Sequence, residues 1–280
     1  MQRLRTFVVD AFTTKRFEGN PAAVVPLDAW LPDATLAAIA RENNLSETAF
    51  FVPEGDAFRL RWLTPKVEVD LCGHATLASA FVVLRHLEPA RRDVTFLTRS
   101  GPLHVARDED ALAMDFPARP PETVDDEALL RAVGDALGKA PRALLRARDV
   151  VATFDHAADV RALAPDMAKL AALAGVFAVV ATAPGDGEDA DVDFVSRFFA
   201  PAKGVPEDPV TGSAHCTLAP HWCARLGKDV LEARQVGPRG GAMRCTLRGD
   251  RVSLRGHAVL VTEGTMYLDD EGARSGRSQS

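Results

Sequence analysis

The chain carries one short pattern twice. Asp70-Leu71-Cys72-Gly73-His74-Ala75-Thr76 opens an Ala-rich apolar stretch, and Asp208-Pro209-Val210-Thr211-Gly212-Ser213-Ala214-His215 opens another about half the chain later. Setting Gly73 on Gly212 pairs His74 with Ser213, Ala75 with Ala214 and Cys72 with Thr211. A chain with such a repeat folds as two related halves that can face each other. A glycine at a helix start lets a ligand approach the unpaired backbone N–H groups there, where the helix dipole favours negative charge. Two such starts in one cleft predict a carboxylate-binding site.

The 280 residues are 47% hydrophobic, enough to bury the cores of two modest domains. The net charge of -6 with interspersed signs offers no basic face for phosphate contacts, so nucleic acid is not an expected partner. The four cysteines, Cys72, Cys216, Cys223 and Cys245, form no C-x-x-C pair, which reads as free thiols in a reducing cytoplasm. The first ten residues look like a strand rather than a signal-peptide core, so export is not indicated. No run approaches the ~18 apolar residues of a membrane span, and no membrane partner is expected.

Strands are predicted at Val24-Val25, 47–52, 58–63, 94–97, 103–106 and 112–116. Asp33 is expected to cap a helix whose Leu36, Ile39 and Ala40 share a face. A nearly all-apolar helix over about 74–87 is then a buried one. Pro117 to Pro121, followed by acidic Asp125-Asp126-Glu127, reads as the crossing between halves. The second half repeats the order, with strands at 150–154, 176–182 and 192–199, a central helix over about 212–226, and more strands over 243–261. The predicted class is α+β: two pseudo-symmetric domains, 1–118 and 119–268, each a mainly antiparallel, barrel-like sheet wrapped around a central helix. The absence of regular β-α-β alternation argues against a doubly wound sheet. Residues 269–280 are polar and read as a disordered tail.

Glu47 lies in Leu45-Ser46-Glu47-Thr48-Ala49-Phe50, where apolar neighbours favour partial burial. Desolvation raises a carboxyl from about 4.3 toward neutrality, suiting it to both take and give a proton. The same pattern also fits a solvated strand-edge glutamate. His74 and Asp208 stand beside the two helix starts, as candidate acid/base or substrate-binding groups. Each, taken singly, also fits a cap or a core residue. Cys72 faces Thr211 in the repeat, and a threonine does not ionise near neutral pH, so a symmetric two-thiol racemisation is not supported. Ser213 lacks the second glycine of G-x-S-x-G and reads as a hydrogen-bonding hydroxyl rather than a nucleophile. His215, Cys216, His221 and Cys223 spread around one helix, which favours packing over metal binding. Arg239, in a glycine-rich turn, fits either a guanidinium offered to an acidic substrate or a surface turn.

Four motifs together, Phe17-Glu18-Gly19-Asn20-Pro21-Ala22-Ala23-Val24-Val25, Leu45-Ser46-Glu47-Thr48-Ala49-Phe50, Cys72-Gly73-His74-Ala75-Thr76 and Glu207-Asp208-Pro209-Val210-Thr211-Gly212-Ser213-Ala214, resemble the PhzF-like (phenazine biosynthesis-like) family over about residues 1–268. The resemblance implies a diaminopimelate epimerase-like fold with the active site between two halves, homodimers, and isomerase chemistry without metal or organic cofactor on a small anionic metabolite. It implies Glu47 as general acid/base, His74, Asp208 and Ser213 as assisting groups, and Gly73 and Gly212 as anchors for a substrate carboxylate, with Thr211 and Cys72 lining the site. Val236 and Gly240-Gly241 depart from the family's glycine-rich stretch. An epimerase of the same fold using Cys72, and a non-catalytic binding protein, are the rival readings.

Overall fold

The computed structural model describes residues 1–269, so all of the expected tail except Asp269 lies outside the described residues. The first half runs β1 (Gln2–Ala11), β2 (Asn20–Pro26), α1 (Asp33–Asn43), β3 (Glu47–Glu54), β4 (Ala57–Leu63), β5 (Glu68–Val69), α2 (Gly73–Val82), β6 (Asp93–Thr98), β7 (Gly101–Asp108) and β8 (Ala111–Pro117). The second runs β9 (Glu122–Val124), α3 (Glu127–Leu137), β10 (Ala143–Arg146), β11 (Val150–Thr153), α4 (Ala157–Arg161), α5 (Met167–Ala171), β12 (Val179–Pro184), β13 (Phe194–Ala200), β14 (Val205–Asp208), α6 (Gly212–Leu226), β15 (Val230–Gln235), β16 (Gly241–Arg248), β17 (Arg251–Gly256) and β18 (Ala258–Leu268).

The strand pairing repeats with the sequence. β1–β2 is antiparallel, β2–β3 parallel, β3–β4 antiparallel and β4–β6 parallel, and the antiparallel run β6-β7-β8 follows. β10–β11, β11–β12, β12–β13, β13–β15 and β15-β16-β17 copy that order and those directions. β9 and β18 are counterparts as well, each adding an antiparallel neighbour, to β10 and β1 respectively, but β18 crosses from the end of the second half to the first whereas β9 stays within its own half. β8 and β17 pair with each other, so the strands form one continuous sheet.

Helices α2 and α6 share the main core with strands from both halves. In α2 even the hydroxyls are buried, and they are satisfied within the helix: Thr76 donates to the Cys72 carbonyl at 2.6 Å and Ser79 to that of Ala75 at 2.7 Å. The helix turns into a π-helical segment at Val83–Leu87. Pro220 inside α6 has no N–H for the Cys216 carbonyl one turn back, and the Arg119 N–H donates to that carbonyl instead, at 2.9 Å. The connection between halves is thereby tied to the second central helix.

Several local expectations change. Asp33 is the first residue of α1 rather than its cap; Pro32 holds that place and no side chain caps the helix. The acidic stretch at 125–127 is a helix start, with Asp126 accepting from the Leu129 N–H at 2.9 Å and α3 following. The strands expected from Val176 and Val192 begin at Val179 and Phe194. Among the described residues no helix is long and apolar enough to cross a membrane.

Candidate active site

Glu47 opens β3 opposite Ala22 of β2, and His74 is the second residue of α2. The fold brings them together: His74 Nε2 and Glu47 Oε2 are 3.1 Å apart, with side chains only 7% and 14% exposed. The contact is not aligned as a hydrogen bond, and among the described residues neither atom has another partner. Glu47 is therefore withdrawn from solvent, and the solvated strand-edge alternative does not hold.

Asp208 reaches the same cluster from the other half. One of its oxygens accepts from Asn20 Nδ2 at 2.7 Å and the other from the Thr211 hydroxyl. Buried Gln235 supports this corner by accepting the Thr211 N–H at 2.9 Å and donating to the Asp208 carbonyl. Removal from water raises the Asp208 carboxyl above its ordinary value, with the Glu47 charge adding to the rise, while His74, Thr211 and Asn20 oppose it. Burial and the Glu47 charge push the Cys72 thiol up to about 11. At His74 burial works against charge on the ring while Cys72 and Glu47 work for it, and the sum lies well above the usual imidazole value. The Cys72 contribution requires a thiolate, which a thiol pushed up to about 11 does not supply at neutral pH; without it burial, the largest single influence on the ring, opposes Glu47, and the groups facing Nδ1 decide whether that nitrogen carries a proton.

The two glycine-opened helices meet end to end. A Cβ added at Gly73 would lie 3.8 Å from the Gly212 Cα, and one at Gly212 would lie 4.0 Å from the Gly73 Cα. Their N-caps, Cys72 and Thr211, make no side-chain cap hydrogen bond. Two uncapped N-termini are thus directed into one small space, the arrangement that the repeat predicts for holding an anion. Ser213 accepts from Arg148 Nη2 at 3.1 Å, and the same guanidinium is paired with buried Asp149 at 2.7 Å. A cavity of about 210 Å³ lined by Glu207, Pro209, Pro238 and Arg239 opens beside Asp208.

Other candidates sit elsewhere. Arg239 is held by the Asp10 carboxylate at 2.8 Å and by the carbonyls of Glu18 and Gly19, so its guanidinium fastens the glycine-rich turn to the β1–β2 loop at the edge of that cavity. His215 is buried, donates from Nδ1 to the Thr211 carbonyl at 2.8 Å and packs against Phe194. All four cysteines are free and buried. Asn20, Gln235 and Arg148 are the site residues that sequence reasoning missed; Asn20 alone left a signal, as a polar residue in a motif whose other positions build a turn and a strand.

Ligand atoms of Glu47, Cys72 and His74 lie within 4.8 Å of one another. The thiol stands 3.6 Å from Nδ1 and the carboxylate beside Nε2, on opposite edges of one imidazole. A single ion can take a lone pair from only one of those edges, so the trio does not fit a metal centre. It fits proton transfer, with the imidazole between a weak acid and a carboxylate.

The strand registers show that this chemistry is one-sided. Trp62 pairs with Ala49 and Val69, and its counterpart Phe198 pairs with Val180 and Asp208. Glu47 therefore corresponds to Ala178, Asp208 to Val69 and His74 to Ser213. The backbone cradle is duplicated while the titratable groups are not.

A sheet of this topology, with a histidine–carboxylate pair at two facing helix starts, is an epimerase-like fold. The chain belongs to the phenazine biosynthesis-like (PhzC-PhzF) protein family, whose model matches residues 9–264. A Pseudomonas aeruginosa protein named as an uncharacterised isomerase is 52% identical, covering 95% of this chain and 99% of its own length. The crystal structure of an Enterococcus faecalis phenazine biosynthesis protein of the PhzF family matches with a TM-score of 0.91 at 43% identity, over 95% of this chain and all (100%) of that one. A structure described as a predicted epimerase, also from Pseudomonas aeruginosa, matches in fold with a TM-score of 0.73 at 20% identity, over 95% of this chain and 100% of that one. The protein is an isomerase-class enzyme.

Proposed function

We propose that the protein catalyses a proton shift on a small carboxylate-bearing metabolite, an amino or hydroxy acid, bound between its two halves, 1–118 and 119–268. Glu47 takes a proton from one carbon and returns it to another. His74 faces the same proton, and the uncapped starts of α2 and α6 at Gly73 and Gly212 hold the carboxylate. Asp208, Thr211 and Ser213 complete the lining. The observation that carries this reading is the buried contact between Glu47 Oε2 and His74 Nε2, 3.1 Å apart beside two helix N-termini. A closed site of this kind keeps bulk water from exchanging the transferred proton.

An epimerase using Cys72 as its second base is less well supported. A thiol held at about 11 is a poor proton acceptor at neutral pH, and its counterpart across the repeat is Thr211.

The test is proton NMR in deuterated water with a panel of small unsaturated amino and hydroxy acids, on the wild type and on Glu47→Gln. A moved double bond or deuterium uptake that disappears in the variant supports the proposal. Undiminished turnover by Glu47→Gln sinks it. A product epimerised without a double-bond shift, dependent on Cys72, establishes the rival.

A further inference from the structure

Asn20 is fully buried at the first position of β2 and makes contacts that span the molecule. Its Nδ2 lies 2.7 Å from Asp208 Oδ1, 2.9 Å from the Val210 carbonyl oxygen and 3.1 Å from His74 Nδ1. The first two are acceptors only, which fixes the amide's orientation: exchanging its O and N would set oxygen against oxygen at both. Gly19 makes the placement possible. Its φ is 69°, and a Cβ there would come 2.3 Å from the Ala11 carbonyl oxygen, so another residue would displace the turn that delivers Asn20.

The consequence falls on His74. Its Nδ1 faces an amide N–H₂ group on one side and the Cys72 thiol at 3.6 Å on the other. The amide nitrogen can only donate, so a proton on Nδ1 would be pressed against the Asn20 hydrogens, while the thiol, which can donate or accept, adapts to either state of the ring. The lone pair therefore belongs on Nδ1 and the single ring proton on Nε2, the atom 3.1 Å from Glu47. We infer that Asn20 is a positioning residue that selects the Nε2–H tautomer of His74 while tying that ring to Asp208, so that the proton needed beside Glu47 is always on the correct edge. An imidazole in the wrong tautomer presents a lone pair where a proton is required, which is enough to cost several orders of magnitude in rate in other enzymes. The catalytic consequence rests on the proton-shift reading above, whereas the tautomer itself does not.

The primary experiment needs no substrate. In protein labelled with ¹⁵N-histidine, long-range ¹H–¹⁵N correlation at neutral pH distinguishes the two tautomers and the imidazolium, and a His74→Gln sample assigns the signal. The expected result is a neutral ring protonated on Nε2. A ring protonated on Nδ1, or on both nitrogens, overturns the inference whatever the enzyme turns over. Asn20→Asp replaces the donor with an acceptor and is expected to move the proton to Nδ1 or to add one there. Asn20→Gln, which keeps the amide, guards against a folding defect. If His74 keeps its Nε2–H signature in a folded Asn20→Asp protein, Asn20 is structural only and the inference fails. Once a substrate is in hand, Asn20→Asp is expected to lower kcat about 100-fold or more with a smaller change in KM. Loss of tautomer control without loss of rate would overturn the catalytic part and leave the tautomer assignment standing.

Discussion

Glu47, His74 and Asp208 lie far apart in the chain, yet folding gathers them around one imidazole, Glu47 by direct contact and Asp208 through Asn20. Replacing Glu47 by Gln keeps the shape and removes the base, and isotope exchange is expected to fall about 100-fold or more, measured by NMR in deuterated water. Cys72→Ala is expected to keep exchange within a few-fold of wild type, because a thiol pushed up to about 11 contributes no thiolate at neutral pH. Loss of activity comparable to that of Glu47→Gln would return the thiol to the mechanism. Glu47 and His74 were legible in the sequence because each interrupts an apolar segment with a titratable group. Arg148 was not, since its partnership with Ser213 is made only by folding and nothing in its own neighbourhood marks it.

At the scale of elements, α2 and α6 are useful for their first turns. Gly73→Ala sets a methyl 3.8 Å from the Gly212 Cα, an ordinary contact that narrows the gap between the helix starts. Alanine is the better helix former by up to about 1 kcal/mol, so the melting temperature should stay level or rise while KM increases. Thermal melts and steady-state kinetics on one preparation check both directions; a fall in stability with unchanged KM would mean that the glycine serves packing and not a ligand. Helix α6 also carries a pH dependence. Burial lowers the His215 imidazole to about 4 from its ordinary 6.5, so in between the unfolded chain binds the proton and the folded chain does not. The stability tied to neutral His215 is complete above about 6.5 and is lost as the pH falls toward 4, by an amount on the order of 3 kcal/mol. Denaturant titrations across that range should show the loss, and His215→Gln should flatten it. The central helices were readable from their continuous apolar character. Helix α3 was not, because prolines and acids before it resemble a linker until Asp126 is seen capping the helix.

Over the whole molecule, the repeat pointed to two halves but not to the return of β18 from the second to β1 of the first. Strand partners are chosen by long-range geometry, and β18 reads like any other half-buried strand. The β1–β18 and β8–β17 pairings make separate unfolding of the halves unfavourable, since each half loses a strand partner when the other opens. One transition is expected in both calorimetry and denaturant melts, and two resolved transitions would contradict it. Removal of residues 258–280 should leave β1 with one sheet neighbour instead of two and yield aggregated protein rather than a shortened enzyme. Among the described strands, β1 leaves the ribosome first and β18 last. Until β18 has been made, β1 of the nascent chain waits with one edge bare, and on a crowded polysome the β18 of a neighbouring copy can reach it first.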